Sequence, residues 1–200
     1  MLTRDPASHP RSATVGRTTG VKRMRHVALL RGINLASRNR VDMAGVRELL
    51  GELGYTEVRT YLQSGNAVLT SAASPDTVAK EIEEQLRSRY GTSIRVLVRT
   101  REELADVVEH NPFTGEETDG RKLHVNFLSA EPDPERLADI DPKDLAPDRF
   151  QLRGREIYLW LPNGMQGSKL PQALSDKRLG VVTTSRNWNT VTKLLELAGG

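Results

Sequence analysis

Apolar residues occur along the chain either in short continuous runs or at a spacing of three to four, and polar loops separate them. The runs predict buried strands and the spacing predicts amphipathic helices. The first run, His26 to Leu30, ends abruptly in Arg31-Gly32-Ile33-Asn34, which is typical of a buried strand that delivers polar groups to its carboxyl end. Asp42 is then placed to cap a helix with a buried stripe at positions 46, 49, 50 and 53.

The rest of the first half continues the same alternation. Strands at 58–62 and 66–70 flank Gln63-Ser64-Gly65, where the glycine can take the positive φ of a tight hairpin turn. Ser74-Pro75 predicts a helix start, and a further strand spans 94–99. The order β-α-β-β-α-β is the split βαβ arrangement called ferredoxin-like, so we predict a first ferredoxin-like lobe at residues 24–99.

A connecting region follows the first lobe. Thr100 and Glu103 have the spacing of a capping box and predict a connecting helix. The charged loop at 115–120 is the expected hinge. The predicted connection, helix and loop together, therefore spans residues 100–120.

The pattern then begins again at His124. Strands and helices recur in the order β-α-β-β-α-β, with a helix at 168–179 and a strand at 181–184, and a last helix follows Asn187-Trp188-Asn189. Few residues are identical between the halves, so the duplication rests on element order. The predicted fold class is α+β, with two ferredoxin-like (βαββαβ) lobes in tandem, a connecting helix, and a second lobe at 121–200 that carries a C-terminal helix.

Composition narrows the class of protein. The 200 residues include no cysteine, and no apolar run approaches the ~20 residues that a bilayer needs. We therefore expect a soluble, cytoplasmic protein without membrane contact, disulfides or thiolate metal ligands. The net charge of +3 comes from residues 1–23, which contribute +4, whereas the rest of the chain sums to −1. The total charge thus does not indicate a nucleic-acid-binding domain.

The first 23 residues differ from the rest of the chain. They are rich in Arg, Ser, Thr, Gly and Pro, and only Leu2 and Val15 could anchor a core. We expect residues 1–23 to form a disordered basic extension, or to lie upstream of a natural start at Met24. Their composition also resembles that of an organellar transit peptide, but they lack its amphipathic period.

The sequence predicts no catalytic or metal-binding constellation. The histidines have neither a second histidine nor a carboxylate at ligand spacing, so a structural role is favoured for them. The stretch from Gly164 to Lys169 lacks the Gly-Lys-Ser/Thr order of a Walker A motif, and helix capping by Ser168 is its simplest interpretation. We assign no catalytic residue, no metal and no cofactor, and whether the protein is an enzyme stays open.

Polar residues at strand ends and in turns are the candidates for binding. Arg31 ends an apolar strand, where an arginine usually needs an anionic or carbonyl partner, so we expect it to take part in a site. The turn at Ser64, Gly65 and Asn66 has two interpretations, a small hydrogen-bonding site or ordinary turn chemistry.

Charged residues are also segregated along the chain. Residues 149–193 carry a net charge of +6, whereas 131–148 carry −5. If the lobes bring Arg31 opposite Lys169 and Arg186, a cationic cleft results. Otherwise the charged segments are two ordinary solvated faces.

Five stretches together resemble a known family. They are Ala28 to Asn34, Thr60 to Asn66, Asn111 to Phe113, Ser168 to Leu170, and Thr184 to Val191. In this order and spacing they make the chain, from Met24 to about Leu197, resemble the bacterial family of domain of unknown function 1697. The resemblance implies an α+β protein of two ferredoxin-like lobes, with Met24 at the usual family start. The family has no established activity, so the resemblance leaves the function open.

Our leading hypothesis is a cytoplasmic two-lobed protein that holds a small anionic ligand, nucleotide-like or phosphate-like, between its lobes. The candidate ligand-binding residues are Arg31, Asn34, Gln63, Ser64, Asn66, Lys169, Arg186, Asn187 and Asn189. One alternative is a single-stranded nucleic-acid-binding module, which the aromatic content of only 4% disfavours. The other is an enzyme that acts by electrostatic positioning without a covalent nucleophile. The oligomeric state stays open.

Overall fold

A computed structural model describes residues 22–33, 41–115, 119–138 and 140–200 of the chain. Most of the basic extension, the candidate residue Asn34 and the centre of the expected hinge, 116–118, lie outside the described residues. In the part that the structure describes, no helix is both long and apolar enough to cross a membrane.

Two four-stranded antiparallel sheets and a set of helices make up the fold, which confirms the prediction of a mixed α and β protein. The first sheet has the strand order β2-β3-β1-β4. Its elements are β1 (Met24–Leu30), α1 (Met43–Glu52), β2 (Thr56–Tyr61), β3 (Asn66–Ser71), α2 (Pro75–Tyr90) and β4 (Val96–Thr100).

Local signals set the ends of the helices in this half. The Asp42 carboxylate accepts hydrogen bonds from the backbone N–H groups of Ala44 and Gly45 and so caps α1. The Ser74 hydroxyl caps α2 in the same way, with Pro75 in the first turn. Gly91 ends α2 in the left-handed conformation at φ 65°. The caps expected from the sequence are therefore confirmed.

The second sheet has the strand order β6-β7-β5-β8, which is the first order repeated four strands later. The helix α3 (Arg101–Glu109) connects the two sheets, and Thr100 and Glu103 form its capping box as predicted. The later elements are β5 (Leu123–Leu128), a 3₁₀ helix (Pro134–Arg136), α4 (Pro142–Leu145), β6 (Arg149–Arg153), β7 (Glu156–Trp160), α5 (Leu170–Ala173), α6 (Asp176–Leu179), β8 (Thr183–Asn187) and α7 (Trp188–Gly199).

The helix predicted at 168–179 is in fact two short helices. Ser175 has φ −72° and ψ 156°, an extended conformation that ends the first helical turn and starts the second. The Ser168 hydroxyl accepts a hydrogen bond from the Leu170 backbone N–H, but the N-cap position of the first short helix is Lys169, which makes no side-chain cap. The expectation that Ser168 caps a helix is therefore wrong. The strand predicted at 181–184 is shifted to 183–187 because α6 extends to Leu179 and Gly180 follows it in the left-handed conformation.

The apolar residues form three layers of core. One lies between the first sheet and α1 with α2, and another lies between the second sheet and the short helices α4, α5 and α6. The third joins the inner faces of both sheets with α3 and α7. Along β1, Ala28 and Leu30 face the first core, whereas Val27 and Leu29 face the shared one. Burial on both faces explains the continuous apolar run of this strand.

Candidate functional site

A cavity of about 550 Å³ lies where the two halves meet. It is bordered by the end of β1, the β2–β3 turn, the start of β4 and the strand β8. Its walls are basic and rich in hydroxyl groups, and the residues that line it are Arg31, Gly32, Ile33, Ser64, Ser93, Arg95, Thr183, Thr184, Ser185 and Arg186.

Arg31 is the first residue after β1 and reaches across to the second half. Its Nη1 donates to the Asp176 Oδ2 at 2.5 Å. The other Asp176 oxygen accepts from the Thr183 backbone N–H at 3.1 Å and from the Thr183 hydroxyl at 2.9 Å. The Arg31 side chain is 41% exposed, so its guanidinium is held in place and still faces the cavity.

Arg95 stands beside Arg31 at the start of β4. Its carbonyl accepts a hydrogen bond from the Arg31 backbone N–H at 2.8 Å, which ties the two residues together. The Arg95 Nε pairs with the Glu83 Oε1 at 3.2 Å, and the arginine side chain is 56% exposed. Arg95 therefore offers the cavity a second accessible guanidinium.

Arg186 is buried and joins the two halves. Its Nη2 donates to the carbonyls of Leu30 at 2.8 Å and Gly65 at 3.0 Å, and its Nε donates to the Asn66 Oδ1 at 2.5 Å. Its Nη1 donates to the Thr184 hydroxyl at 2.9 Å and to the Ser185 carbonyl at 2.8 Å. Burial lowers the pKa of Arg186 to about 10, because desolvation disfavours the charged form. With its N–H groups bound to protein, Arg186 gives the cavity charge rather than free donors.

Arg99, in the first half, makes the equivalent contacts with the second half. Its Nη2 donates to the Leu128 carbonyl at 2.8 Å and to the Arg155 carbonyl at 3.3 Å. Its Nε pairs with the Glu156 Oε1 at 2.7 Å. Each buried arginine thus leaves the last strand of one sheet and binds the end of the first strand and the hairpin turn of the other sheet.

The reciprocal contacts define an internal repeat. Arg99 corresponds to Arg186, Leu128 to Leu30, Arg155 to Gly65, and Glu156 to Asn66, because each pair holds the same place in its sheet. The element order that predicted a duplication is therefore accompanied by matching side-chain contacts. Residue identity alone would not show it, since only the arginines and leucines are shared.

The structure separates the predicted site residues into two groups. Arg31, Ser64 and Arg186 line the cavity, and Asn66 is buried directly behind it against Arg186. Gln63 lies exposed in the same turn. The Asn66 Nδ2 also donates to the Tyr61 carbonyl at 2.8 Å. The Asn66 side chain therefore links the hairpin turn to the cavity residue Arg186.

The other candidates do not line this cavity. Lys169 donates from its Nζ to the Asp144 carbonyl at 3.1 Å in another part of the second half. The Asn187 Oδ1 caps α7 by accepting from the Thr190 backbone N–H. Asn189 is exposed and packs its side chain over Gly120. Arg31 and Arg186 thus line the same cavity, whereas Lys169 does not line it.

Sequence reasoning missed Arg95 and Arg99. A signal for Arg99 was present, because Arg99 precedes the N-cap residue Thr100 just as Arg186 precedes the N-cap residue Asn187. Aligning the two halves on these caps would have paired the arginines. No comparable signal marks Arg95, since its place at the cavity depends on how β4 and β8 approach each other.

Comparison with known proteins gives a family and a fold. A family model described as "Protein of unknown function (DUF1697)" matches residues 24–158. The structure of the conserved bacterial protein SP0830 from Streptococcus pneumoniae is similar, with a TM-score of 0.64 and 20% sequence identity over 88% of this chain and 99% of that chain. At this identity the likeness concerns the fold alone. No curated protein matches this chain.

Proposed function

The chain belongs to the DUF1697 family of proteins of unknown function, and we propose that it binds a small phosphate-bearing anion in the cavity between its two halves. The observation that carries this proposal is the set of charges around the cavity. Three arginines line it, and no acidic residue does, among the residues that the structure describes. Guanidinium groups bind phosphate oxygens through paired hydrogen bonds.

Hydroxyl groups complete a lining suited to phosphate. Ser64, Ser93 and Ser185 border the cavity together with Thr183 and Thr184. Hydroxyls donate hydrogen bonds to phosphate oxygens without adding charge. The volume of about 550 Å³ falls within the roughly 300–1,000 Å³ of small-molecule sites, which favours a ligand of nucleotide size over a bare ion.

The architecture that holds this site is, in our proposal, a tandem of ferredoxin-like lobes. Each sheet places its first strand centrally between the third and fourth, in the orders β2-β3-β1-β4 and β6-β7-β5-β8. We place the lobes at 24–99 and 121–200, joined by 100–120, and the division of β1 to β4 and β5 to β8 between two sheets supports this proposal. The inner faces of both sheets are buried in the shared core. They therefore offer no open platform for nucleic-acid bases, which supports the small ligand.

The test is a binding screen on the full chain with inorganic phosphate, pyrophosphate and the adenosine phosphates. A ligand present at 100 times its dissociation constant is expected to stabilise the protein by about 2.7 kcal/mol, which differential scanning fluorimetry detects. Titration calorimetry then gives the affinity. Arg95→Ala is expected to weaken binding at least about tenfold, because a charged hydrogen bond contributes about 1.5–3 kcal/mol.

The control is Arg87→Ala on α2, whose exposed arginine pairs with Glu84 away from the cavity. This variant should bind like the wild type. Asp176→Asn is expected to increase the affinity for phosphate compounds. It removes the carboxylate that pairs with Arg31, so the Arg31 charge is left for the ligand. Absence of binding to every phosphate compound, or equal affinities in the Arg95 and Arg87 variants, would overturn the proposal.

A further inference from the structure

The internal repeat produces two cavities, one beside each buried arginine. The cavity beside Arg186 is the proposed anion site. The cavity beside Arg99 has a volume of about 190 Å³, and its lining includes Asp76, Lys80, Glu83, Ser129 and Arg155. Both cavities contain arginines, so the presence of basic residues alone does not distinguish them.

The distribution of carboxylates distinguishes the two cavities. In the cavity beside Arg99, Arg99 pairs with Glu156 at 2.7 Å and Arg155 pairs with Glu103 at 2.6 Å. Acidic residues also line that cavity directly. Its positive charges are thus matched by nearby negative ones.

In the cavity beside Arg186, one charge has no such match. Arg31 pairs with Asp176 and Arg95 pairs with Glu83. Arg186 contacts only carbonyls, a hydroxyl and the Asn66 amide among the described residues. Burial is the one cause that shifts the pKa of Arg186, whereas for Arg99 the attraction of Glu156 opposes the effect of burial. A buried cation without a carboxylate attracts an anion more strongly than an ion pair does.

The acceptors of the two buried arginines differ in charge at one pair of corresponding residues. Asn66 begins β3 and accepts from the Arg186 Nε, and Glu156 begins β7 and accepts from the Arg99 Nε. Asn66 does not line the cavity and is completely buried. A charge introduced at position 66 would therefore not touch a ligand, and it would act on the ligand only by changing the electrostatic field around Arg186.

We propose that Asn66 is the residue that determines the charge specificity of the anion site, because a neutral acceptor at this position leaves the Arg186 charge uncompensated. The inference rests on the proposed anion-binding function. In the other half, Glu156 compensates the charge of Arg99, acidic residues line the cavity, and the cavity takes no anion. The two halves have thus kept the same arginine contact while only one of them selects an anion.

The experiment compares Asn66→Asp with Asn66→Ala, using inorganic phosphate as the probe in titration calorimetry. Both variants lose the hydrogen bonds that the Asn66 Nδ2 donates to the Tyr61 carbonyl and the Ser64 hydroxyl. Only Asn66→Asp adds a negative charge beside Arg186. Asn66→Ala is expected to keep its affinity within about threefold, and Asn66→Asp to lose at least about tenfold. Circular dichroism and thermal unfolding establish that both variants are folded.

The outcomes separate the inference from the function on which it rests. Wild type that binds neither inorganic phosphate, nor pyrophosphate, nor any adenosine phosphate overturns both. If wild type binds only one of the larger compounds, that compound replaces inorganic phosphate as the probe. Wild type that binds, together with equal affinities in the aspartate and alanine variants, overturns the role of Asn66 and leaves the anion site standing. If Asn66→Asp does not fold, Glu156→Gln carries the test, since it keeps the side-chain shape and the hydrogen-bond acceptor. Because Asp76 and Glu83 also line that cavity, Glu156→Gln is introduced together with Asp76→Asn and Glu83→Gln and compared with that double variant. Only the triple variant is expected to add a second, weaker phosphate-binding event, and equal stoichiometry in the two folded variants overturns the inference.

Discussion

Burial separates the arginines at the junction of the halves into two groups. Arg99 and Arg186 are almost completely buried, and their N–H groups contact protein acceptors, whereas Arg31 and Arg95 are about half exposed. A guanidinium removed from water is stable only when its donors are satisfied. The same residue type therefore holds the halves together in one place and offers free donors in another.

Two histidines at equivalent strand positions show a further effect of burial. His26 on β1 is completely buried, and His124 lies on β5. Among the residues that the structure describes, no group lies within good hydrogen-bond geometry of either ring nitrogen of His26 or of the Nδ1 of His124. Burial lowers the pKa of both residues, and for His26 it outweighs the opposing influence of the nearby backbone groups of Ser71 and Ala73. The neutral form is therefore favoured at pH 7 both for His26, which is completely buried, and for His124, which is partly buried.

We predict that these histidines make the protein less stable in mild acid. In the unfolded chain both histidines bind a proton below about pH 6.5, whereas in the folded protein their lowered pKa keeps them neutral to lower pH. Because the unfolded state binds more protons, the free energy of unfolding falls as the pH falls. Each buried histidine contributes a slope of at most about 1.4 kcal/mol per pH unit. Urea unfolding at pH 7.5, 6.5 and 5.5 measures the slope. His26→Leu should flatten it, and parallel slopes in wild type and variant would contradict the prediction.

At the scale of elements, the β2–β3 hairpin turn connects the fold to the site. Its Gly65 carbonyl accepts from the Leu30 backbone N–H at 2.8 Å and from Arg186, so the turn binds both the central strand and the other half. Gly65 has φ 89°, and a Cβ there would lie 2.7 Å from the Ile33 Cδ1 and 2.8 Å from the Leu30 Cβ. The position thus needs glycine for conformation and for space.

Gly65→Ala tests both requirements against a matched control. Gly54 has a similar φ of 81°, but no atom lies within 4 Å of where a Cβ would be placed. Gly54→Ala should cost about 1–2 kcal/mol from backbone strain alone. Gly65→Ala should cost about 1–3 kcal/mol more, because the new methyl group overpacks the site. Equal losses in urea unfolding would show that the close approach does not restrict this position.

At the scale of the whole molecule, the two halves form one unit around a shared core. Val27 and Leu29 of β1 pack in the same apolar cluster as Val125 and Phe127 of β5. The helix α7 is held to the first half by Arg25, which donates to the carbonyls of Leu197 and Ala198. Because apolar burial and the reciprocal arginine contacts both cross the junction, we expect the halves to unfold together.

Arg99→Met tests the reciprocal contact on the side away from the anion site. The variant leaves the Leu128 and Arg155 carbonyls and the Glu156 carboxylate without their arginine donor, so unfolding should become about 3–5 kcal/mol easier. Phosphate affinity should stay at the wild-type value, because Arg99 does not line the proposed site. Arg87→Met, at an exposed position, is the control for the loss of an arginine. A stability loss no larger than in that control would contradict the structural role of Arg99.

The sequence by itself determined the family, most of the elements and their order. Asp42, Ser74 and Thr100 cap helices because their side chains bond backbone groups only two or three residues away. The hairpin turn at Gly65 and the buried run of β1 follow equally from local chemistry and periodicity. The helix at 168–179 failed as a prediction where a single extended residue, Ser175, outweighed the periodic pattern.

Only the tertiary structure decided which polar residues form the site. Arg186 and Asn66 are 120 residues apart in the chain, and Arg31 and Asp176 are 145 apart. Their contacts depend on how the two sheets pack, which no local pattern encodes. Packing buried Arg186, placed Arg95 at the cavity and left Lys169 elsewhere, although each of the three side chains carries one positive charge. Charge is a property of a residue, but whether that charge is compensated depends on the neighbours that the fold provides.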